Sequence, residues 1–183
     1  VFEKTNSEFC LKGITCDQNI TSLIDISNRY SCDKLGVARE GLLHDGNEFL
    51  TTKNTVYGIK NFDSFINDDI DIYILAISGL SCASLALKIA ETGKILAIAN
   101  KECIISLGKI LLNKCEKFNT SIFPLDSEHN AIYQLISNNN KSVRDITITA
   151  SGGPFLHLDL DKFESITREQ AIKHPKWKMG NKI

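Results

Sequence analysis

The stretch Asp71-Ile72-Tyr73-Ile74-Leu75-Ala76-Ile77 is apolar throughout after its opening aspartate and ends at Ser78-Gly79. Such a run reads as a strand covered on both faces of a parallel sheet. Ser81 to Glu91 then supplies a helix, with Gly93 where a C-terminal cap is expected. Ile95-Leu96-Ala97-Ile98-Ala99 is a second buried strand. Lys101 to Phe118 carries Ile104, Ile105, Leu107, Ile110, Leu111 and Leu112 at spacings that predict one long helix. Ser121-Ile122-Phe123-Pro124 is a third apolar run, handing over to a helical pattern at Ala131 to Ile136. Strand, helix, strand, helix, strand at this spacing predicts an α/β architecture with a doubly wound parallel sheet.

Working outward, Glu8 to Thr15 reads as a strand, the turn Asp17-Gln18-Asn19 follows, and Ile20 to Arg29 reads as a helix. Lys34 to Ala38 and Asn54 to Gly58 are further strands, and Phe62 to Asn67 is a short helix with Phe62, Phe65 and Ile66 on one face. Val1 to Glu8 resembles the tail of a helix, so the first strand of the layer and its glycine-rich turn are expected to lie before residue 1. Beyond Asp126 the pattern changes. Arg144 to Ala150 alternates polar and apolar, which predicts a strand with one face toward water. Ser151-Gly152-Gly153-Pro154-Phe155 is a glycine-rich turn. Thr167-Arg168-Glu169-Gln170 has the form of a capping box, opening a short helix through Lys173 that His174-Pro175 ends. A boundary near Pro124–Asp126 divides residues 1–123, a nucleotide-binding type of layer, from residues 124–183, the start of an α+β region.

Composition narrows the function classes. With 43% hydrophobic residues and only 3 prolines in 183 residues, the chain is globular rather than disordered. A net charge of -1 provides no basic field for nucleic acid. No apolar run approaches the roughly 20 residues of a membrane span, and Val1-Phe2-Glu3-Lys4-Thr5-Asn6 lacks the form of a signal peptide. The six cysteines contain no CxxC pair and several lie in apolar segments. Reduced, buried thiols in a cytosol-like compartment are therefore expected, rather than disulfides or zinc.

The chemistry concentrates at strand ends. Asp126 and Glu128, in Leu125-Asp126-Ser127-Glu128-His129-Asn130-Ala131-Ile132, sit where a strand passes into a helix, the edge at which open α/β sheets bind ligands. Hard oxygen donors there suit Mg²⁺ or Mn²⁺. The alternative is an N-cap at Asp126 and a first-turn charge at Glu128. Asn100-Lys101-Glu102 opens a helix at the same edge, where Lys101 can hold a phosphate or a hydroxyl, or can be merely a polar helix start. Ser151 with its two glycines can present a hydroxyl and close backbone amides to an anion, or form a plain turn. His174-Pro175-Lys176-Trp177-Lys178-Met179-Gly180 places an imidazole and a large ring on an irregular segment of the kind that covers a ligand or a domain.

Together, four strings resemble the 1-deoxy-D-xylulose 5-phosphate reductoisomerase family. They are Ala99-Asn100-Lys101-Glu102, Asp126 to Ile132, Ser151 to Phe155, and His174 to Ile183, and the likeness extends more weakly back to about Phe9. The resemblance implies a Rossmann-like NADPH-binding domain over residues 1–123, followed by the first part of a catalytic domain. It implies rearrangement and NADPH-dependent reduction of 1-deoxy-D-xylulose 5-phosphate to 2-C-methyl-D-erythritol 4-phosphate, with Mg²⁺ or Mn²⁺, in non-mevalonate isoprenoid biosynthesis. By the same resemblance Asp126 and Glu128 are metal ligands, and Lys101 and Glu128 serve the chemistry. Lys101, Ser127, Glu128, Ser151 and His174 hold the phosphosugar. Asp17, Gln18, Asn19, Asn100, Glu102 and Gly180 contact NADPH, and Trp177 and Met179 belong to a flap. A homodimer is implied for the full-length protein, in a bacterial cytoplasm or a plastid-type organelle.

Several features depart from the family pattern. The N-terminal glycine turn and a third acidic ligand lie outside these residues, so the isolated piece is expected to be inactive. Asp17-Gln18 stands where the family has a glycine and a basic residue near the adenosine 2′-phosphate, and an acid there favours a free 2′-hydroxyl. Cys82 stands where the family commonly has glycine. The rival readings are another NAD(P)-dependent oxidoreductase, of the homoserine dehydrogenase kind, and a degenerate copy without catalysis.

Overall fold

Parallel pairing organises the chain, as the apolar runs require. The computed structural model describes residues 9–40, 53–137, 143–149 and 152–173. Strands β1 (Gly13–Cys16), β2 (Lys34–Val37) and β3 (Asn54–Tyr57) form one three-stranded sheet, and β4 (Ile72–Leu75), β5 (Ile95–Ile98) and β6 (Ser121–Pro124) form a second. All four pairings are parallel, with Cys16 opposite Val37 in the first sheet and Ile98 opposite Pro124 in the second. Helices connect the strands: α1 (Ile20–Arg29), α2 (Ala83–Ile89), α3 (Lys101–Leu107), α4 (Lys109–Phe118) and α5 (Ser127–Ile136). The fold is α/β, as the alternation of elements requires.

Each sheet buries its own core. Leu23 of α1 closes over Leu35 and Val37 of β2, with Ile14, Ile20 and Ile24 around them. On the second sheet, Tyr73, Leu75, Leu96 and Ile98 pack against Ala86, Ile89, Cys103, Leu111 and Cys115 from the helices. Fully burying one such leucine contributes about 1.5–3 kcal/mol. A 3-10 helix, Ile59–Phe65, links the sheets. Its Phe62 is buried against the first sheet at Gly36, where an added Cβ would lie 2.8 Å from both the Phe62 ring and the Thr15 methyl. Toward the second sheet, Asp63 pairs with Lys88 of α2, and the Tyr73 hydroxyl donates to the Asn67 carbonyl at 2.9 Å.

Three expectations for this region need correction. The run at 71–77 is not covered on both faces, because Ile72 and Ile74 are 40% and 63% exposed while Tyr73 and Leu75 point inward. The cause is that the core of this sheet is built by α2, α3 and α4 on the face carrying Tyr73 and Leu75. The single helix expected over 101–118 is two, because Gly108 adopts φ 47°, ψ -124°, a conformation outside the helical region. The first helix of this sheet is capped at Ala90 rather than at Gly93, which instead has positive φ and donates its N–H to Thr120 Oγ1 at 2.9 Å.

The chain divides into two compact units, Val1–Leu135 and Ile136–Ile183. In the second unit, residues 144–149 form no strand and Ile146 and Ile148 are 54% and 67% exposed. An alternating pattern becomes a strand only when a ladder partner and a covering layer are present, and the described residues give this segment neither. A 3-10 helix, Leu160–Ser165, precedes α6 (Arg168–Ala171). Thr167 and Gln170 form the expected capping box, Gln170 Oε1 accepting from the Thr167 N–H at 2.8 Å. Among the described residues, no helix is long and apolar enough to cross a membrane.

Candidate active site

The carboxyl ends of β5 and β6 are neighbours, so whatever follows each strand must meet. Lys101 lies three residues beyond Ile98 and Asp126 two beyond its ladder partner, Pro124. Across that edge Lys101 Nζ approaches Asp126 Oδ2 to 3.2 Å. Asp126 is the more enclosed partner, its side chain 16% exposed against 51% for the lysine. His129, in the first turn of α5, brings Nδ1 to 3.6 Å from Asp126 Oδ1. Burial pushes the Asp126 carboxyl up, but the Lys101 ammonium and the His129 N–H outweigh it and hold the group below its ordinary value of 3.8. Glu128 is exposed in the first turn of α5 and accepts a hydrogen bond from the Ser127 hydroxyl at 2.6 Å. The helix begins at Ser127, and Asn130 anchors it by donating Nδ2–H to the Pro124 carbonyl at 2.7 Å.

Asn100 holds the lysine's turn in place. It is 3% exposed and is the N-cap of α3, its Oδ1 accepting from the Cys103 N–H at 2.6 Å. Its Nδ2 donates to the carbonyls of Ile77 and Gly79 and to Cys82 Sγ. One side chain thus ties the loop after β4 to the helix after β5, and the amide expected to touch a cofactor is engaged within the protein. Cys82 and Cys103 lie beside it with sulfurs 3.7 Å apart. Burial, and the neighbouring Cys82 thiol, push Cys103 up to about 12.

Asp17, Gln18 and Asn19 are exposed at the carboxyl end of β1, where Asn19 N-caps α1 by accepting from the Ser22 N–H at 3.1 Å. Glu102 is in the first turn of α3, half-buried. In the glycine turn, Gly152 and Gly153 have φ 98° and 68°, the left-handed backbone that a Ser-Gly-Gly turn permits. Ser151, His174, Trp177, Met179 and Gly180 lie outside the described residues. Two residues at these edges, His129 and Arg39, were not expected from the sequence. The signal for His129 was its i+3 spacing from Asp126 across a helix start; Arg39, which pairs with Asp17, had none, since the two meet only through strand pairing.

Among the described residues, no three of His, Cys, Asp and Glu converge on one point. The donor type at Asp126 nonetheless suits a hard cation, and the Lys101 ammonium is already a cation standing against it.

An α/β layer of parallel strands, with a lysine and a carboxylate meeting at adjacent strand ends and capped helix starts beyond them, belongs to the Rossmann-like class of fold. The chain belongs to the 1-deoxy-D-xylulose 5-phosphate reductoisomerase family, whose model matches residues 1–108 and whose C-terminal domain model matches residues 122–183. It is 36% identical over 183 residues to the reductoisomerase of Wolbachia pipientis subsp. Culex pipiens (strain wPip), covering 98% of this chain and 47% of that protein. The chain spans about half the length of the curated relatives it matches. The structure of the Zymomonas mobilis reductoisomerase in complex with NADPH superposes with a TM-score of 0.84 at 30% identity, over 95% of this chain and 47% of that one. A reductoisomerase crystallised with NADPH, fosmidomycin and magnesium shares the fold, with a TM-score of 0.80 at 24% identity over 99% of this chain and 48% of that one.

Proposed function

We propose that the full-length protein converts 1-deoxy-D-xylulose 5-phosphate to 2-C-methyl-D-erythritol 4-phosphate, using NADPH and a divalent cation. The observation that carries this reading is the Lys101–Asp126 pair at adjacent strand ends, in a chain that the family's models match over residues 1–108 and 122–183. Residues 1–123 serve as the NADPH-binding domain and 124–183 as the first part of the catalytic domain.

Asp126 and Glu128 would hold Mg²⁺ or Mn²⁺, which supplies a Lewis acid and a template for the ketone and hydroxyl oxygens of the substrate. Lys101 binds substrate hydroxyls as a compact, flexible cation. Ser127, Ser151 and His174 hold the remaining hydroxyls and the phosphate. Asp17, Gln18, Asn19, Asn100, Glu102 and Gly180 line the NADPH side, Asn100 by fixing the loop there. Trp177 and Met179 cover the site and exclude water from the reduction of the rearranged aldehyde. A homodimer completes the reading, in a cytosol-like compartment that the free, buried cysteines 32, 82, 103 and 115 support.

The test is substrate-dependent NADPH oxidation by the full-length protein. Turnover should require Mg²⁺ or Mn²⁺, stop on chelation, and fall at least about 100-fold in Asp126→Asn and Glu128→Gln. Turnover indifferent to chelator would instead favour a metal-independent NAD(P) oxidoreductase, and no turnover of any kind a degenerate copy.

A further inference from the structure

At the carboxyl edge of the first sheet, strands β1 and β2 end side by side, and the pairing continues past them. The Ala38 N–H donates to the Cys16 carbonyl at 2.8 Å and the Arg39 N–H to the Asp17 carbonyl at 3.3 Å. Asp17 and Arg39 are thereby fixed as neighbours across the ladder. Arg39 Nη2 lies 3.6 Å from Asp17 Oδ2, and both side chains are more than half exposed. The turn beneath them is pinned by Asn19, which caps α1. The other acid on this edge, Glu40, lies against Gly58 at the end of β3.

In a dinucleotide-binding sheet, an acid at the end of such a strand hydrogen-bonds the adenosine ribose, and a nearby arginine accommodates a 2′-phosphate. Asp17 alone would repel that phosphate. With a guanidinium beside it, the Asp17 charge is offset, and five N–H donors in a rigid fork become available to a phosphate. The exposed ion pair is weak and opens at little cost, while a charge-assisted bidentate contact to phosphate is stronger. We propose that Arg39 is the residue that admits the adenosine 2′-phosphate of NADP(H) at this edge, turning from Asp17 to the phosphate when the nucleotide binds. This rests on the reading that the edge binds NADPH.

Calorimetric titration of the full-length protein with adenosine 2′,5′-bisphosphate and with ADP tests it. The bisphosphate should bind more tightly than ADP. Arg39→Met should weaken the bisphosphate about tenfold and leave ADP unchanged, and Arg39→Lys should recover part of the loss. Asp17→Asn should tighten the bisphosphate, because the competing carboxylate charge is gone. Both 39 and 17 are exposed, so neither variant threatens the fold. Binding of both nucleotides with Arg39→Met changing neither, or both alike, overturns the role of Arg39 alone. Binding of neither nucleotide overturns the nucleotide reading of the edge and this inference with it.

Discussion

Lys101 Nζ stands 3.2 Å from Asp126 Oδ2, a contact made between the ends of adjacent parallel strands. The pair lowers the Asp126 carboxyl below 3.8, so folding must depend on its charge. A depressed carboxyl contributes stability that is complete above its unfolded value and lost as pH falls through its folded one. Lys101 is half exposed, so the pair is expected to contribute no more than about 1 kcal/mol. Urea midpoints of the native sequence and Lys101→Met should differ near neutral pH and converge toward about pH 2. A gap that stays constant across the titration would mean that the contact contributes packing and no charge.

A second expectation concerns Asn100, whose buried amide accepts one hydrogen bond and donates its two N–H groups to the Ile77 and Gly79 carbonyls, with Cys82 Sγ also in reach. Asn100→Ala removes the cap of α3 and strands two carbonyls, at a cost of about 2–4 kcal/mol. Asn100→Asp keeps the cap but turns an acceptor-only carboxylate toward the Ile77 and Gly79 carbonyls. It should be at least as damaging at neutral pH and should partly recover in acid, where the protonated group regains one donor. Denaturation at the two pH values separates the variants. An aspartate variant as stable as the native protein at neutral pH would show that the amide's donors are dispensable.

These contacts also explain what the sequence disclosed and what it withheld. The helix Ile20–Arg29 and the cap at Thr167 were readable because local patterns determine them: an apolar stripe in one, a threonine three residues before a glutamine in the other. The break at Gly108 was hidden because apolar residues continue on both sides of it, and only backbone φ distinguishes a bent pair from one helix. Arg144 to Thr149 shows the opposite failure, an alternating pattern that lacks the partners a strand needs among the described residues. Asp126 and Lys101 were each visible as polar residues at helix starts, but their contact depends on the β5–β6 register, which no local pattern encodes.

The Gly36–Phe62 approach gives a third expectation. A methyl at Gly36 would press on the Phe62 ring and Thr15 at 2.8 Å, inside a site where Phe62 is 1% exposed. Gly36→Ala should cost about 1–3 kcal/mol through overpacking. Phe62→Leu removes ring volume and should itself destabilise, yet the double variant should lose less than the sum of the singles by about 1 kcal/mol. Additive losses in a double-mutant cycle would show that the two residues do not share the space.

The cysteines give the last expectation. Cys82 and Cys103 are fully buried, 3.7 Å apart, and raised by burial, Cys103 to about 12. Alkylation and disulfide exchange proceed through the thiolate, so a buried thiol raised this far reacts only when the structure opens. Cys10, by contrast, is exposed. Iodoacetamide at mildly alkaline pH should therefore label Cys10 first. Cys82 and Cys103 should follow at a rate that rises with denaturant, because their modification waits on local unfolding of the α2–α3 core. Peptide mapping over a labelling time course reads each site separately. Labelling of Cys103 in the native protein as fast as Cys10 would mean that the loops joined by Asn100 open freely.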